Sequence, residues 1–215
     1  MVVSASFVIG LATYPLNNIT TTNEPLSIPV RSDMVPYKQG KVALNRFMLD
    51  MTRKFTPEVY GRLAAGILET QYAGIDAEFA VPLFDGRIFM GLSGSAVKKR
   101  SPDNMVKLKS GDVKDIYSTA FFNTRLNIPE TDMTLDVRAG RFLAGDNGVR
   151  VTLSKFIKGV VVWTWYSATD TSIFRDKFNR GYHDKGIGVS MPLSLFTGTD
   201  AKTVYNNVLS PWTRD

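Results

Sequence analysis

Residues 75–92 read Ile75-Asp76-Ala77-Glu78-Phe79-Ala80-Val81-Pro82-Leu83-Phe84-Asp85-Gly86-Arg87-Ile88-Phe89-Met90-Gly91-Leu92. In the first half Ile75, Ala77, Phe79, Val81 and Leu83 form one apolar row, with Asp76, Glu78, Ala80 and Pro82 between them. After Asp85-Gly86 the pattern resumes, with Ile88, Met90 and Leu92 on one face and Arg87, Gly91, Ser93 and Ser95 on the other. Alternation with a period of two puts successive side chains on opposite faces of a strand. Asp-Gly between two such runs predicts a two-residue hairpin, because a type I′ turn needs positive φ at both central positions.

Working outward, the same period predicts about ten strands, near 5–16, 42–55, 59–70, 72–84, 87–97, 114–126, 132–142, 149–157, 160–168 and 186–195. Helical periodicity is hard to find; the best stretch, Glu58 to Thr70, is interrupted by Gly61 and Gly66. Most of these strands match the length of a tilted membrane-crossing strand and exceed that usual in soluble sheets. One face is apolar and the other charged or small: Leu135, Val137 and Ala139 oppose Asp136 and Arg138, and Val149, Val151 and Leu153 oppose Arg150, Thr152 and Ser154. The long connections, 17–41, 98–113 and 169–185, are the first, fifth and ninth, so a meander puts all three at one end. Long loops at one end and short turns at the other are the arrangement of outer-membrane barrels, and an even strand count puts both termini at the short-turn end. The expectation is an all-β, antiparallel up-and-down transmembrane β-barrel spanning 1–215 as one domain. A secreted β-sandwich that binds carbohydrate also carries single apolar faces and stands as the alternative.

Composition bounds the chemistry. The 215 residues include 26 Lys and Arg against 20 Asp and Glu, one His and no Cys. Without cysteine there is no disulfide framework, and with a single histidine there is little to hold zinc. The net charge of +6 is scattered along the chain, which argues against nucleic acid. No apolar run approaches the roughly 18–20 residues of a membrane-spanning helix. Met1-Val2-Val3-Ser4-Ala5 lacks the basic start of an export signal.

Three blocks carry a resemblance. They are Val59-Tyr60-Gly61-Arg62-Leu63-Ala64-Ala65-Gly66 with Glu69-Thr70-Gln71-Tyr72-Ala73-Gly74-Ile75, then Ala139-Gly140-Arg141-Phe142-Leu143-Ala144-Gly145-Asp146-Asn147-Gly148-Val149, then Asp184-Lys185-Gly186-Ile187-Gly188-Val189-Ser190-Met191-Pro192-Leu193. Together with the ending Pro211-Trp212-Thr213-Arg214-Asp215, they resemble the YjbH/GfcD family of outer-membrane proteins linked to exopolysaccharide and group 4 capsule export. The resemblance covers roughly 42–215, and family members are much longer. It implies the C-terminal part of such a protein, either a barrel of its own or part of a larger or double barrel, with an export signal expected upstream. It also implies an outer-membrane location among lipid and lipopolysaccharide, with exopolysaccharide and other export-machinery proteins as partners.

The candidate site is the charged inner face: Arg62, Asp76, Glu78, Asp136, Arg138 and Arg150, read as a lumen network or glycan path. Asp76 and Glu78, about 7 Å apart by strand rise, could be a glycosidase pair, but pairing with Arg62 is the simpler role for charges on an inner face. Trp163, Trp165 and Tyr166 suggest an interface girdle, with Tyr166 on the inner face. Lys98-Lys99-Arg100 reads either as a patch attracting lipopolysaccharide or anionic glycan, or as a solvated loop margin. His183 reads as a loop histidine, Gly145-Asp146-Asn147-Gly148 as a tight turn rather than a calcium loop, and Asn18-Ile19-Thr20 as an incidental glycosylation pattern. No cofactor, metal or catalytic residue is expected, and the protein is read as a non-enzyme.

Overall fold

The computed structural model describes residues 3–13, 28–31, 33–38, 42–170, 183–192 and 204–209. Twelve strands run along them: Val3–Thr13 (β1), Val42–Lys54 (β2), Tyr60–Ile67 (β3), Tyr72–Leu83 (β4), Ile88–Ser101 (β5), Asn104–Leu108 (β6), Tyr117–Ile128 (β7), Met133–Arg141 (β8), Asn147–Ile157 (β9), Val160–Thr169 (β10), Lys185–Pro192 (β11) and Val204–Leu209 (β12). A 3-10 turn, Val35–Lys38, lies between β1 and β2, and another, Pro129–Thr131, joins β7 to β8.

Eleven strands follow one another in a single antiparallel sheet, while β6 pairs only with the end of β5. The up-and-down meander is therefore present, with eleven strands instead of ten. The two additional strands carry weak signals. Asn104-Met105-Val106-Lys107-Leu108 is only five residues long, and Val204-Tyr205-Asn206-Asn207-Val208-Leu209 is interrupted by two asparagines, which strands disfavour. An odd count makes the first and last strands parallel, so β1 starts at the short-turn end and β12 finishes at the other, contrary to the even-count expectation. Among the described residues β1 and β12 are not paired with each other, so the sheet is open. It is nonetheless one continuous sheet rather than two facing layers, which removes the sandwich arrangement.

The hairpin that opened the reading forms, but its loop has four residues, Phe84 to Arg87, instead of the expected two, and Phe84 also has a positive φ of 52°. Phe79 pairs with Leu92, and the ladder closes at Leu83 and Ile88. Asp85 and Gly86 both have positive φ, 54° and 82°, and the Arg87 N–H donates to the Phe84 carbonyl at 3.1 Å. Lys158-Gly159 makes a two-residue turn between β9 and β10, at φ 48° and 92°. Both turns lie at the end opposite the three long connections.

Register aligns the apolar residues into rows on the outer surface. One runs Phe79, Leu92, Phe122, Ala139 and Val149 across five strands. These side chains are not covered: Phe79 is 51% exposed, Leu92 62%, Phe7 59% and Ile187 50%. The opposite face is concave. Arg46 and Met48 of β2 line the same cavity as Arg138 of β8 and Arg150 of β9, so the sheet curls far enough to bring these strands around one space.

The densest packing sits at the long-connection end of that space. Val30, Tyr72, Val97 and Tyr117 form a buried cluster, with Ile28, Leu68, Leu143 and Ala144 packed against it. Leu68 and Leu143 come from the tips of the β3–β4 and β8–β9 hairpins. Beneath each tip two glycines face each other across the strands, Gly66 with Gly74 and Gly140 with Gly148. A Cβ on Gly74 would sit 2.2 Å from the Ala96 carbonyl oxygen, and Gly66 holds φ at +129°, a conformation that L side chains avoid.

Candidate functional site

All six residues expected on the inner face are there, because each lies one position out of phase with the exposed apolar rows. Arg62 on β3 bridges two neighbouring strands. Its guanidinium donates to Asp50 on β2 at 2.5 and 2.9 Å and to Asp76 on β4 at 2.9 Å. Asp50 is a partner that the sequence reading did not name, although its place between Leu49 and Met51 marks it as inward. Glu78 stands opposite Arg62 in the ladder and adds its charge to the field of Arg62 and Arg125. Further along, Asp136 on β8 receives Arg125 of β7 through two bonds, at 2.6 and 3.2 Å. Arg138 donates to Asn123 at 3.3 Å and lies 5.0 Å from the centre of the Phe121 ring. Arg150 lies 5.4 Å from the Trp165 ring.

Among the described residues this face carries an upper and a lower cavity. The upper one, about 450 Å³, opens toward the long connections and is lined by Arg31, Arg46, Arg62, Arg138 and Arg150 against Glu69, Asp76 and Glu78. The lower, about 820 Å³, reaches Asn127 near the short turns and includes Arg125 and Asp136. Glu78, Arg138 and Arg150 line both, which makes the two spaces neighbours along one inner surface. Among the described residues no group of three or more His, Asp or Glu side chains could hold a metal ion.

The aromatics of β10 are placed one residue out of the expected phase. Val151, in the outward row, pairs with Tyr166, so Tyr166 faces outward and is 47% exposed. Trp165 is buried on the inner side under Arg150, and Trp163 lies inward over Gly188, where a Cβ would come within 2.3 Å of the indole. Only Tyr166 is thus in the outward position that a girdle requires. In the run Val160-Val161-Val162-Trp163-Thr164-Trp165 the one polar residue, Thr164, lies on the outer face with Tyr166, so alternation alone gives the phase poorly.

The basic triplet is also corrected. Lys99 has no exposed surface and Arg100 is 3% exposed. The Lys99 ammonium binds Asp33 at 2.6 Å and the Pro29 carbonyl, with the Tyr72 and Tyr117 rings at 6.0 and 5.7 Å. Arg100 donates to the carbonyls of Leu44 and Thr70 at 2.8 Å, and Lys98 pairs with Asp115. Neither a lipopolysaccharide patch nor a solvated margin describes Lys99 and Arg100: they fasten residues 28–31 and 33–38 into the mouth of the concave face. Tyr72 donates to the Val30 carbonyl at 2.8 Å, Gln71 to Asp33 at 3.0 Å, Tyr37 to the Arg100 carbonyl at 2.6 Å, and Arg31 pairs with Glu69 at 3.0 Å. Burial, reinforced by Asp33 and Asp112, raises the Tyr37 hydroxyl to about 12. Burial opposes ionisation of Asp112, but bonds from Tyr117 and Lys109 and the charge of Lys99 outweigh it and lower its pKa.

His183 stacks beside Tyr166 at 5.6 Å, and the Asp184 carbonyl accepts from the Ser167 N–H at 2.7 Å. Gly145-Asp146-Asn147-Gly148 belongs to a tight turn in which Phe142 N–H donates to the Asp146 carbonyl at 2.7 Å. Asn18-Ile19-Thr20 and residues 211–215 lie outside the described residues.

The class these features define is an all-β meander, apolar outside, with an arginine-rich inner face capped by its own chain. Residues 3–215 match the YjbH family, described as an exopolysaccharide biosynthesis protein, and the chain belongs to that family. A curated relative, the uncharacterized lipoprotein YjbH of Escherichia coli (strain K12), is 30% identical over 207 residues, covering 94% of this chain. The chain spans 29% of that relative's length. No solved structure matches the chain.

Proposed function

We propose that this chain is the wall of an outer-membrane β-barrel taking part in exopolysaccharide secretion, without catalysing a reaction. The single observation carrying this reading is the outer surface: rows of large apolar side chains are continuous across the strands and exposed. Outward charges such as Arg53, Arg141 and Lys155 stand toward the strand ends, whereas the mid-strand charges Asp50, Arg62, Asp76, Glu78, Asp136, Arg138 and Arg150 lie inside. Water would leave such a surface a large penalty, while hydrocarbon makes it favourable. The spanning form must also satisfy every backbone group, so the free edges of β1 and β12 are covered by further pairing in the membrane. The family's exopolysaccharide description and the relative's name as a lipoprotein of a Gram-negative bacterium support an envelope setting.

Inside, hydroxyls, carboxylates and guanidinium groups offer a hydrated polymer many weak, replaceable contacts, which suits passage over retention. Outer-membrane lipid and lipopolysaccharide border the apolar face, and other export proteins meet the loops. Two measurements test this. Detergent-folded protein should migrate differently with and without boiling, and fluorophores at Phe79 and Val151 should be quenched by lipid-borne quenchers. A monomer freely soluble in plain buffer, with both positions unquenched, overturns it.

A further inference from the structure

We propose that Asp33 is a built-in stand-in for a sugar carboxylate: the strap formed by residues 28–31 and 33–38 occupies a seat for a uronate unit of the glycan and yields it to an acidic polymer. The inference rests on the reading above for the presence of a glycan, and on the following geometry for the seat and its charge. The Asp33 carboxylate is gripped through both oxygens. The Gln71 amide donates to one at 3.0 Å, and the Lys99 ammonium donates to the other at 2.6 Å. Both donors belong to the sheet, at the β3–β4 tip and near the end of β5, and neither has any exposed surface. Two fixed donors converging on one carboxylate make a carboxylate-binding site, and here the chain fills it with its own side chain.

The charge of the seat decides what can replace the strap. With the strap withdrawn, the Lys99 ammonium would stay beside the rings of Tyr72 and Tyr117 with no carboxylate bonded to it, because Asp112 is bonded to Tyr117 and Lys109. Stranding a buried charge is costly, so the strap leaves readily only when another carboxylate takes the place of Asp33. The strap also fits its seat incompletely. Gln71 Oε1 is buried without a hydrogen-bond partner among the described residues, and so is Arg31 Nε on the strap. An ionised Asp33 has no proton to give Gln71, whereas a uronate carries hydroxyls beside its carboxylate. Tyr72, released from the Val30 carbonyl, adds a further hydroxyl to meet them. Access comes from within: Arg31, Tyr72 and Val97 line the upper cavity, so a polymer on the inner surface meets the underside of the strap.

The chain has no cysteine, and Val30 is 2% exposed in the seated strap, so Val30→Cys reacts with maleimide only when the strap leaves. The test follows that labelling in the purified protein with oligogalacturonate or with neutral cello-oligosaccharide of equal length. Oligogalacturonate should speed labelling, by about tenfold at ten times its dissociation constant for the open seat, and the neutral probe should not. Asp33→Asn should raise the affinity for oligogalacturonate by about tenfold or more, the scale of one charge-assisted hydrogen bond, because the competing carboxylate is gone. Combining Asp33→Asn with Lys99→Met removes both charges, strands neither, and should abolish the gain. Circular dichroism checks the fold of each variant, and the labelling comparison of the two probes stands without either. Equal labelling with both probes, an unchanged affinity in Asp33→Asn, or a gain that survives in the double variant overturns the proposal. So does inorganic phosphate that speeds labelling as well as oligogalacturonate does, which would make the seat a general anion site. Each of these results leaves the membrane reading intact; loss of detergent dependence with acid-driven labelling retained would strike that reading and spare the seat.

Discussion

Lys99 shows how strongly one residue can be committed. Its ammonium is fully buried and is balanced by Asp33, a carbonyl and two ring faces. Removing one member of a buried ion pair strands the other, at a cost of about 3–5 kcal/mol. Lys99→Met should therefore lower stability by that order in denaturant unfolding, and Asp33→Asn in the same background should recover part of the loss. Tyr37 gives a pH signature at the same place. Its hydroxyl is raised from 10.0 to about 12, so the folded state holds the proton more tightly than the unfolded state. The linked stability is complete below pH 10 and declines as pH rises through the folded value. Because Tyr72 and Tyr117 are buried as well, the difference in tyrosinate absorbance between the wild type and Tyr37→Phe should isolate the Tyr37 step near 12. None of this was legible in the sequence, where Lys98-Lys99-Arg100 looks like any basic loop margin; the partner at Asp33 lies 66 residues away.

At the level of the strand, phase was legible wherever one face is apolar and the other polar. Arg62, Asp76, Glu78, Asp136, Arg138 and Arg150 were all placed on the inner face by parity alone. Reading failed on β10, where the one polar residue between Val160 and Trp165, Thr164, faces outward and misleads the phase, and on β6 and β12, which are short or asparagine-rich. Their registers are set by neighbours instead: Val151 opposite Tyr166 fixes β10. Glycine positions give an element-level prediction. Gly66 faces Gly74 at a positive φ of 129°, and a Cβ there would lie 2.4 Å from the Phe47 carbonyl oxygen. Gly66→Ala should destabilise by roughly 1–3 kcal/mol through backbone strain. Amide hydrogen exchange should report the loss first in the β3–β4 hairpin tip around Leu68.

For the whole molecule, the decisive quantity is what surrounds the outer face. Phe79 and Leu92 pair directly and are both more than half exposed. If hydrocarbon surrounds them, Phe79→Arg should cost about 2–4 kcal/mol at midplane depth, read as reduced refolding into liposomes. Thr152→Lys, on the inner face, should be tolerated far better, and equal effects of the two would contradict the assignment of sides. The meander order was legible because hairpin turns carry their own chemistry, whereas the β11–β12 connection, between Pro192 and Val204, adds a long link at the short-turn end that the reading did not expect. The curvature was not, since no local pattern reports how far a sheet rolls.

The seating of residues 28–31 and 33–38 has a bearing on leakage. A pore wide enough for sugar chains would ordinarily pass ions and toxic solutes at rest. If the sheet closes into such a pore, a segment locked by a buried ammonium and several carbonyls would act as a stopper and hold the resting conductance low. In planar bilayers the native protein should be electrically silent, and Lys99→Met should produce flickering current as the stopper works loose.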